Sequence, residues 1–257
     1  MSMVEAESRQ GALWLWLDRP QRHNALVPEL LAALRAAIAA ALQEQPVALV
    51  LSGRGPSFST GGDISGFLAN ASSREELISY SDGLVTELHE ALLDLLAFPA
   101  PVLAAVNGPV TGGSTGLMLA ADMVAMSDQA FVQPYYSEVG FGPDGGWTAL
   151  LPERVGTAKA LQIQYLNERL AAAEAFELGL AADVCTRAEL EARIETWVDG
   201  IAGRYRQTHR ATRQSIWDDQ RRGLVRRRLE KEKSRFLELV ARPETLEGMQ
   251  NFTRKRA

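Results

Sequence analysis

The sequence predicts an α/β fold, and three observations carry that reading. Short apolar runs of strand length alternate with longer stretches of helical periodicity. Glycine-rich loops follow two of those runs, at 52–62 and 107–116. Beyond about Arg187 the strand signals stop, and the chain becomes helical and rich in Arg and Glu.

Taken in order, Ala12 to Asp18 alternates Leu13, Leu15 and Leu17 with Ala12, Trp14 and Trp16, the period of two expected of a strand. Arg19-Pro20 ends it. Pro28 opens a helix with the apolar stripe Leu30, Leu34, Ile38 and Leu42, and Pro46 stops it. Val47 to Leu51 reads as a buried strand, followed by the loop from Ser52 to Gly62. A second long helix spans Glu75 to Ala97, bounded by Pro99 and Pro101. Val102 to Val106 is the next buried strand and ends at the turn signal Asn107-Gly108. Gly113 to Ala121 suits a tightly packed helix, and Met123 to Met126 a further strand. Helices are expected over Trp147–Leu151, Thr157–Leu166 and Ala172–Gly179. Gln207 to Val240 reads as one long charged helix or a helix pair, and Pro243 starts the last helix. The expected organisation is a core over residues 1–195 and a helical region over 196–257.

The formal net charge of −5 disfavours nucleic acid as a partner, which usually meets a basic face. An Arg-rich run, Arg221-Arg222…Arg226-Arg227-Arg228, raises RNA binding, but Glu230, Glu232 and Lys233 interleave it. That mixture reads as a solvated helix face or a subunit contact. Residues 1–10 are polar, so neither a secretory signal nor a membrane anchor is expected. One cysteine, Cys185, fits a reducing cytoplasm, and three scattered histidines suggest no metal site. No G-x-G-x-x-G follows a strand and no P-loop lysine motif is present, which argues against a nucleotide cofactor.

Two glycine stretches stand out. Phe58-Ser59-Thr60-Gly61-Gly62-Asp63-Ile64 follows the second strand, and glycine lets a backbone N–H approach a ligand atom closely. Asp63 can equally be a plain helix cap. Ala105-Val106-Asn107-Gly108-Pro109-Val110-Thr111-Gly112-Gly113-Ser114-Thr115-Gly116 runs from a strand into a helix start, where unpaired N–H groups favour an anionic oxygen. These glycines can equally serve close packing. Together the two stretches supply the two donors that an oxyanion hole needs.

With these pieces the chain resembles the enoyl-CoA hydratase/isomerase (crotonase) superfamily. The resemblance also rests on Arg19-Pro20…Asn24-Ala25-Leu26, Gly140…Pro143-Asp144-Gly145-Gly146…Leu151-Pro152…Val155-Gly156, Ala173-Glu174-Ala175-Phe176-Glu177-Leu178-Gly179-Leu180 and the terminal Phe252…Lys255-Arg256. It implies a spiral of ββα units followed by a C-terminal helical trimerisation region. The implied partner is an acyl-CoA thioester, with a homotrimer or dimer of trimers as the assembly. Coenzyme A would be part of the substrate, and no separate cofactor is implied.

The resemblance places the two oxyanion N–H groups at Gly62 and Gly113. It puts coenzyme A along Arg22 to Ala25 and Ser59-Thr60, with adenine near Asp63-Ile64. Phe252 and Lys255 match a terminal motif that approaches the coenzyme of a neighbouring subunit. Hydratases of the family use two glutamates, and those positions fall on Gly116 and Tyr136, neither of them a carboxylate. Asp144 matches the acidic residue of the peroxisomal-type enoyl-CoA isomerases, although Pro-Asp-Gly is also an ordinary turn. Tyr136 can donate to substrate or simply pack. Phe141, Trp147 and Leu150 would suit an acyl pocket, while Glu138, His23 and His89 read as surface or structural residues. The expected activity is a double-bond shift in an enoyl-CoA. Hydration, another chemistry of the superfamily, or acyl-CoA binding without catalysis are the alternatives.

Overall fold

A computed structural model describes residues 3–254. The chain starts with a hairpin of β1 (Val4–Arg9) and β2 (Ala12–Leu17), turning at Gln10 and Gly11, both at positive φ. β1 departs from the sequence reading, which took this segment as a polar lead. It lies at the sheet edge with only Val4 buried, so Glu5, Glu7 and Arg9 can face solvent while the backbone pairs. β2 is buried throughout, because both of its faces are covered.

α1 (Pro28–Glu44) buries Leu30, Leu31, Leu34, Ile38 and Ala41. Leu42, expected on that stripe, is 44% exposed, and Ala41 takes the buried position in the last turn. β3 (Leu49–Gly53) joins β2 in parallel, and the short α2 (Ile64–Ala69) follows the glycine loop. α3 (Arg74–Ala97) is capped by Ser73, whose Oγ accepts from the Glu76 N–H. β4 (Val102–Val106) continues the parallel sheet, with Leu49 opposite Val102. Next come β5 (Val110–Thr111), a 3-10 turn over Gly112–Ser114, and α4 (Thr115–Leu119), buried along its length. β6 (Met123–Ser127), β7 (Phe131–Gln133) and α5 (Tyr136–Val139) complete this stretch.

Residues 145–150 form turns, not the helix expected from Trp147. Gly145 and Gly146 sit at positive φ, and helix α6 (Leu151–Val155) starts only beside Pro152. α7 (Thr157–Leu166), β8 (Leu170–Ala171), α8 (Ala172–Glu177) and β9 (Asp183–Cys185) follow. The main sheet has the order β1-β2-β3-β4-β6-β9, parallel except for the first pair, and a smaller sheet runs β5-β7-β8. A parallel sheet has both faces covered. α1 and α3 pack on one face, and α9 (Leu190–Ala202) on the other, where Leu190, Ile194 and Val198 meet Trp14, Trp16 and Val50.

Residue 195, near which the sequence changes character, lies inside α9. The long charged segment is a helix pair, α10 (Arg206–Ile216) and α11 (Asp219–Val240), interrupted at Trp217-Asp218. Arg213 docks α10: its guanidinium donates to Asp122 at 2.7 Å and to the carbonyls of Leu95, Leu96 and Phe98 at the end of α3. A cation there meets the unpaired carbonyls of the helix terminus. α11 runs along α3, and α12 (Pro243–Arg254) packs on α2 and α5. No helix among the described residues is long and apolar enough to cross a membrane.

Candidate functional site

The first glycine loop is fixed by a parallel bridge between Gly62 and Leu26. Leu26 N–H donates to Gly61 O at 2.7 Å, and Asp63 N–H donates to Leu26 O at 3.0 Å. With both neighbours of Gly62 bonded to that side, its own N–H faces away from Leu26. Gly61 needs its glycine: at φ +76° a Cβ would stand 2.7 Å from Thr111 O. Asp63 caps α2 through Ser65 N–H at 3.1 Å and accepts from Arg19 at 2.8 Å and Arg22 at 2.9 Å. Burial opposes its charge, but the hydrogen bonds from Arg22 and Arg19 win and hold its carboxyl below the usual range.

The second loop lies against the first. Ser59 bridges to Val110, and the single Ser114 hydroxyl proton is shared between Ser59 O at 2.9 Å and Thr111 O at 2.8 Å. Gly113 occupies the first turn of the 3-10 helix leading into α4, where N–H groups lack an intrahelical acceptor. Both glycines line one cavity.

Asp144 enters from the loop after α5. It is 7% exposed, and a Cβ built on Gly113 would stand 2.9 Å from its Oδ1. Only a chain of glycines permits this approach. A Cβ on Gly145 would collide with Gly113 O, and one on Gly116 would collide with Gly145 O. The volume a longer side chain at position 116 would need is therefore filled by the backbone of the Asp144 loop. The Tyr136 hydroxyl donates to Asp144 Oδ1 and lies 3.0 Å from the Asp144 carbonyl oxygen. Burial pushes the Asp144 carboxyl up to about 7; the Tyr136 hydrogen bond works against that rise and the charge of Glu232 adds to it. Burial and the nearby Asp144 charge push the Tyr136 phenol well above its ordinary value, so Tyr136 is the donor and Asp144 the group that titrates.

Two buried residues hold this loop, and neither was assigned to the site from sequence. Glu232 of α11, 3% exposed, accepts from the N–H groups of Gly146 at 2.8 Å, Thr148 at 2.6 Å and Ala149 at 2.9 Å, and from Thr148 Oγ1 at 2.8 Å. It is not on a solvated face, as the charge pattern suggested. Its spacing within Val225, Leu229, Phe236 and Val240 is the signal that could have placed it inward. His89 Nε2 accepts from Gly145 N–H at 3.4 Å, and burial lowers its pKa to about 3, so the ring is neutral.

The cavity has a volume of about 400 Å³. Of the expected site residues, Gly62, Gly113, Asp144, Tyr136, Arg22, Ala25, Thr60, Asp63, Ile64 and Phe252 line it. Ser59 does not: it is fully buried, and its hydroxyl donates to Asn24 O at 2.7 Å. Both oxygens of Asp63 are engaged by arginines. Lys255 lies outside the described residues. Phe141 lines the cavity, whereas Trp147 and Leu150 pack behind it, Trp147 donating to Gly112 O at 2.7 Å. Glu138 is exposed and meets Asn167. His23 lines the cavity, with Nδ1 2.9 Å from Ser57 Oγ. The apolar part of the lining includes Leu84, Leu88 and a cluster of Phe67, Phe141 and Phe236, whose rings lie 4.9–6.0 Å apart. Among the described residues no group of His, Cys, Asp or Glu is placed to hold a metal ion.

Residues 7–257 match the family described as enoyl-CoA hydratase/isomerase. A Rhodobacter capsulatus protein named probable enoyl-CoA hydratase is 35% identical over 181 residues, 69% of this chain and 66% of that protein. Enoyl-CoA delta isomerase 2 of Rattus norvegicus is 28% identical over 189 residues, 74% of this chain but 48% of its own length. The chain thus spans about two thirds of the first relative and about half of the second. The crystal structure of an enoyl-CoA hydratase from Bacillus halodurans superposes with a TM-score of 0.90 at 24% identity, covering 97% of this chain and all of that one, which shows a shared fold. By sequence and by fold, the chain belongs to the enoyl-CoA hydratase/isomerase family of the crotonase superfamily.

Proposed function

We propose that the protein shifts a double bond in an enoyl-CoA thioester, using Asp144 as the single proton shuttle. The thioester carbonyl accepts from the N–H groups of Gly62 and Gly113. Asp144 removes a proton from the α-carbon of a 3-enoyl ester, the negative charge moves onto the carbonyl oxygen, and the two N–H dipoles stabilise it. The same carboxyl returns the proton at the γ-carbon, leaving the conjugated 2-enoyl ester and an unchanged enzyme. A carboxyl whose pKa is about 7 is balanced for giving and taking a proton near neutral pH.

One observation carries this reading: among the described residues Asp144 is the one carboxylate in the cavity lining that no cation engages, since Asp63 is paired with Arg19 and Arg22. Hydration, the activity named for the bacterial relative, needs groups both to deprotonate water and to protonate carbon. Gly116 and the backbone beside it leave no room for a second acid there. Exposed Leu161, Tyr165 and Leu166 on α7 and Phe176 on α8 favour assembly into a homotrimer or dimer of trimers, which would cover them. The test of the activity is incubation with a 3-enoyl-CoA and, separately, a 2-enoyl-CoA, following the conjugated thioester absorbance. Growth from the first with no loss from the second is the expected result, and loss from the second would mean hydration.

A further inference from the structure

The loop that carries Asp144 is not self-supporting. Residues 145–150 form turns without a helix or strand to satisfy their backbone, and Gly145 and Gly146 add conformational freedom. Three N–H groups of this backbone, those of Gly146, Thr148 and Ala149, converge on one carboxylate, Glu232. That carboxylate is delivered from α11, a helix more than 80 residues away in sequence. Burying a carboxylate is costly, and the loop N–H groups are what make it tolerable. Such a device is out of proportion for tying down an ordinary surface turn.

We infer that Glu232 is a positioning residue for Asp144: it clamps the 146–149 turn so that the Asp144 carboxyl stands against Gly113 and Tyr136. This rests on the proposed role of Asp144 as proton shuttle and extends it to a residue outside the cavity.

The groups that face Glu232 are few. From α3, His89 places Nε2 3.9 Å from Glu232 Oε2 and is neutral. From the loop comes Asp144, and from α5 comes Tyr136, both of which feel the Glu232 charge. On α11 itself Lys233 reaches across to Asp82 and Thr86 of α3 and to Glu230, and its charge helps to hold His89 neutral. Arg228, one turn earlier on α11, donates to Ala149 O at 3.3 Å and pairs with Glu153, and among the described residues no lysine or arginine forms an ion pair with Glu232 itself. Burial pushes the Glu232 carboxyl up, and the hydrogen bonds of Gly146, Thr148 and Ala149 pull it back toward ionisation. An uncharged mimic of the same length, such as Gln, would keep an oxygen acceptor but bring an N–H₂ group against backbone donors.

The test reads Asp144 directly and needs no substrate. Protein labelled with ¹³C at the aspartate carboxyls is titrated, and the Asp144 signal is assigned by its disappearance in Asp144→Asn. In Glu232→Gln the Asp144 midpoint is expected to fall by roughly one pH unit, a tenfold loss of proton affinity. A midpoint unchanged in a folded Glu232→Gln protein would overturn the inference, since a brace with no hold on Asp144 leaves its titration alone. Should Glu232→Gln not fold, Glu232→Asp, which withdraws the charge by one methylene, is measured instead; a smaller fall supports the inference and none overturns it. Absence of turnover by the wild-type protein would count against the isomerase reading only, because the titration stands without it.

Discussion

The Tyr136 hydroxyl donates a hydrogen bond to Asp144 Oδ1 inside the cavity, with both side chains almost fully buried. The phenol cannot ionise in this setting, so it acts as a fixed donor that pulls the Asp144 carboxyl down against the effect of burial. Tyr136→Phe removes that pull while keeping the ring. If Asp144 works as the base, turnover falls as pH drops through about 7 in the wild-type protein. In Tyr136→Phe the acid limb of the kcat/KM profile is expected to move upward by roughly one unit. An unmoved limb would mean that Tyr136 only fills space.

The same burial makes Asp144 costly to the fold. Folded Asp144 keeps its proton up to about 7, whereas an aspartate with its ordinary pKa of 3.8 releases it much earlier. Between those values the native state binds more protons than the unfolded one, so this group's contribution to stability declines as pH rises and stays low above the window. Asp144→Asn is therefore expected to be more stable than the wild-type protein at pH 8, by at most about 4 kcal/mol, with the difference shrinking toward pH 4. Thermal melts across that range check both the sign and the window.

Gly116 answers to packing rather than to lost chemistry. A methyl group there meets Gly145 O and, at 2.8 Å, Leu92 Cδ1. Gly116→Ala should displace the loop and cost about 1–3 kcal/mol of stability, with kcat reduced about 100-fold or more as Asp144 leaves its place. Full activity with a lowered melting temperature would keep the packing clash but contradict the displacement of Asp144.

The apolar end of the cavity makes its own prediction. Phe141 contacts both Phe67 and Phe236 and lines the cavity while remaining partly exposed. Phe141→Ala enlarges the apolar end, so kcat/KM for longer acyl chains should rise relative to short ones, by about tenfold for one or two methylenes. A uniform loss across chain lengths would place Phe141 in the fold and not in specificity.

How far the sequence reached depended on how local each cause was. β4 was legible because five buried residues lie between Pro101 and the Asn107-Gly108 turn. β1 was not, because an edge strand with one residue buried carries the composition of a loop. The glycine loops and the Pro-Asp-Gly-Gly turn could be read as candidate site pieces, since a residue that must leave room for backbone has few substitutes. Ser59 sits inside one of those pieces, yet its hydroxyl serves the Asn24 carbonyl, a partner no local pattern reveals. Glu232 was hidden for a similar reason: its donors lie 83 to 86 positions away, and its charged neighbours on α11 masked the inward spacing. Gly116 was legible as a missing carboxylate but not as the notch that admits Gly145 O, which only the fold brings there.

The central claim is that one buried carboxylate moves the proton, and Asp144→Asn tests it most directly. The variant keeps the size of the side chain and an oxygen to accept from Tyr136. With a 3-enoyl-CoA, kcat should fall by about 100- to 10,000-fold, while affinity for a saturated acyl-CoA stays within about twofold, because the carboxylate contributes to the transition state and not to ground-state binding. Turnover of Asp144→Asn within a few fold of the wild-type rate would contradict the account and assign the proton transfer to another group.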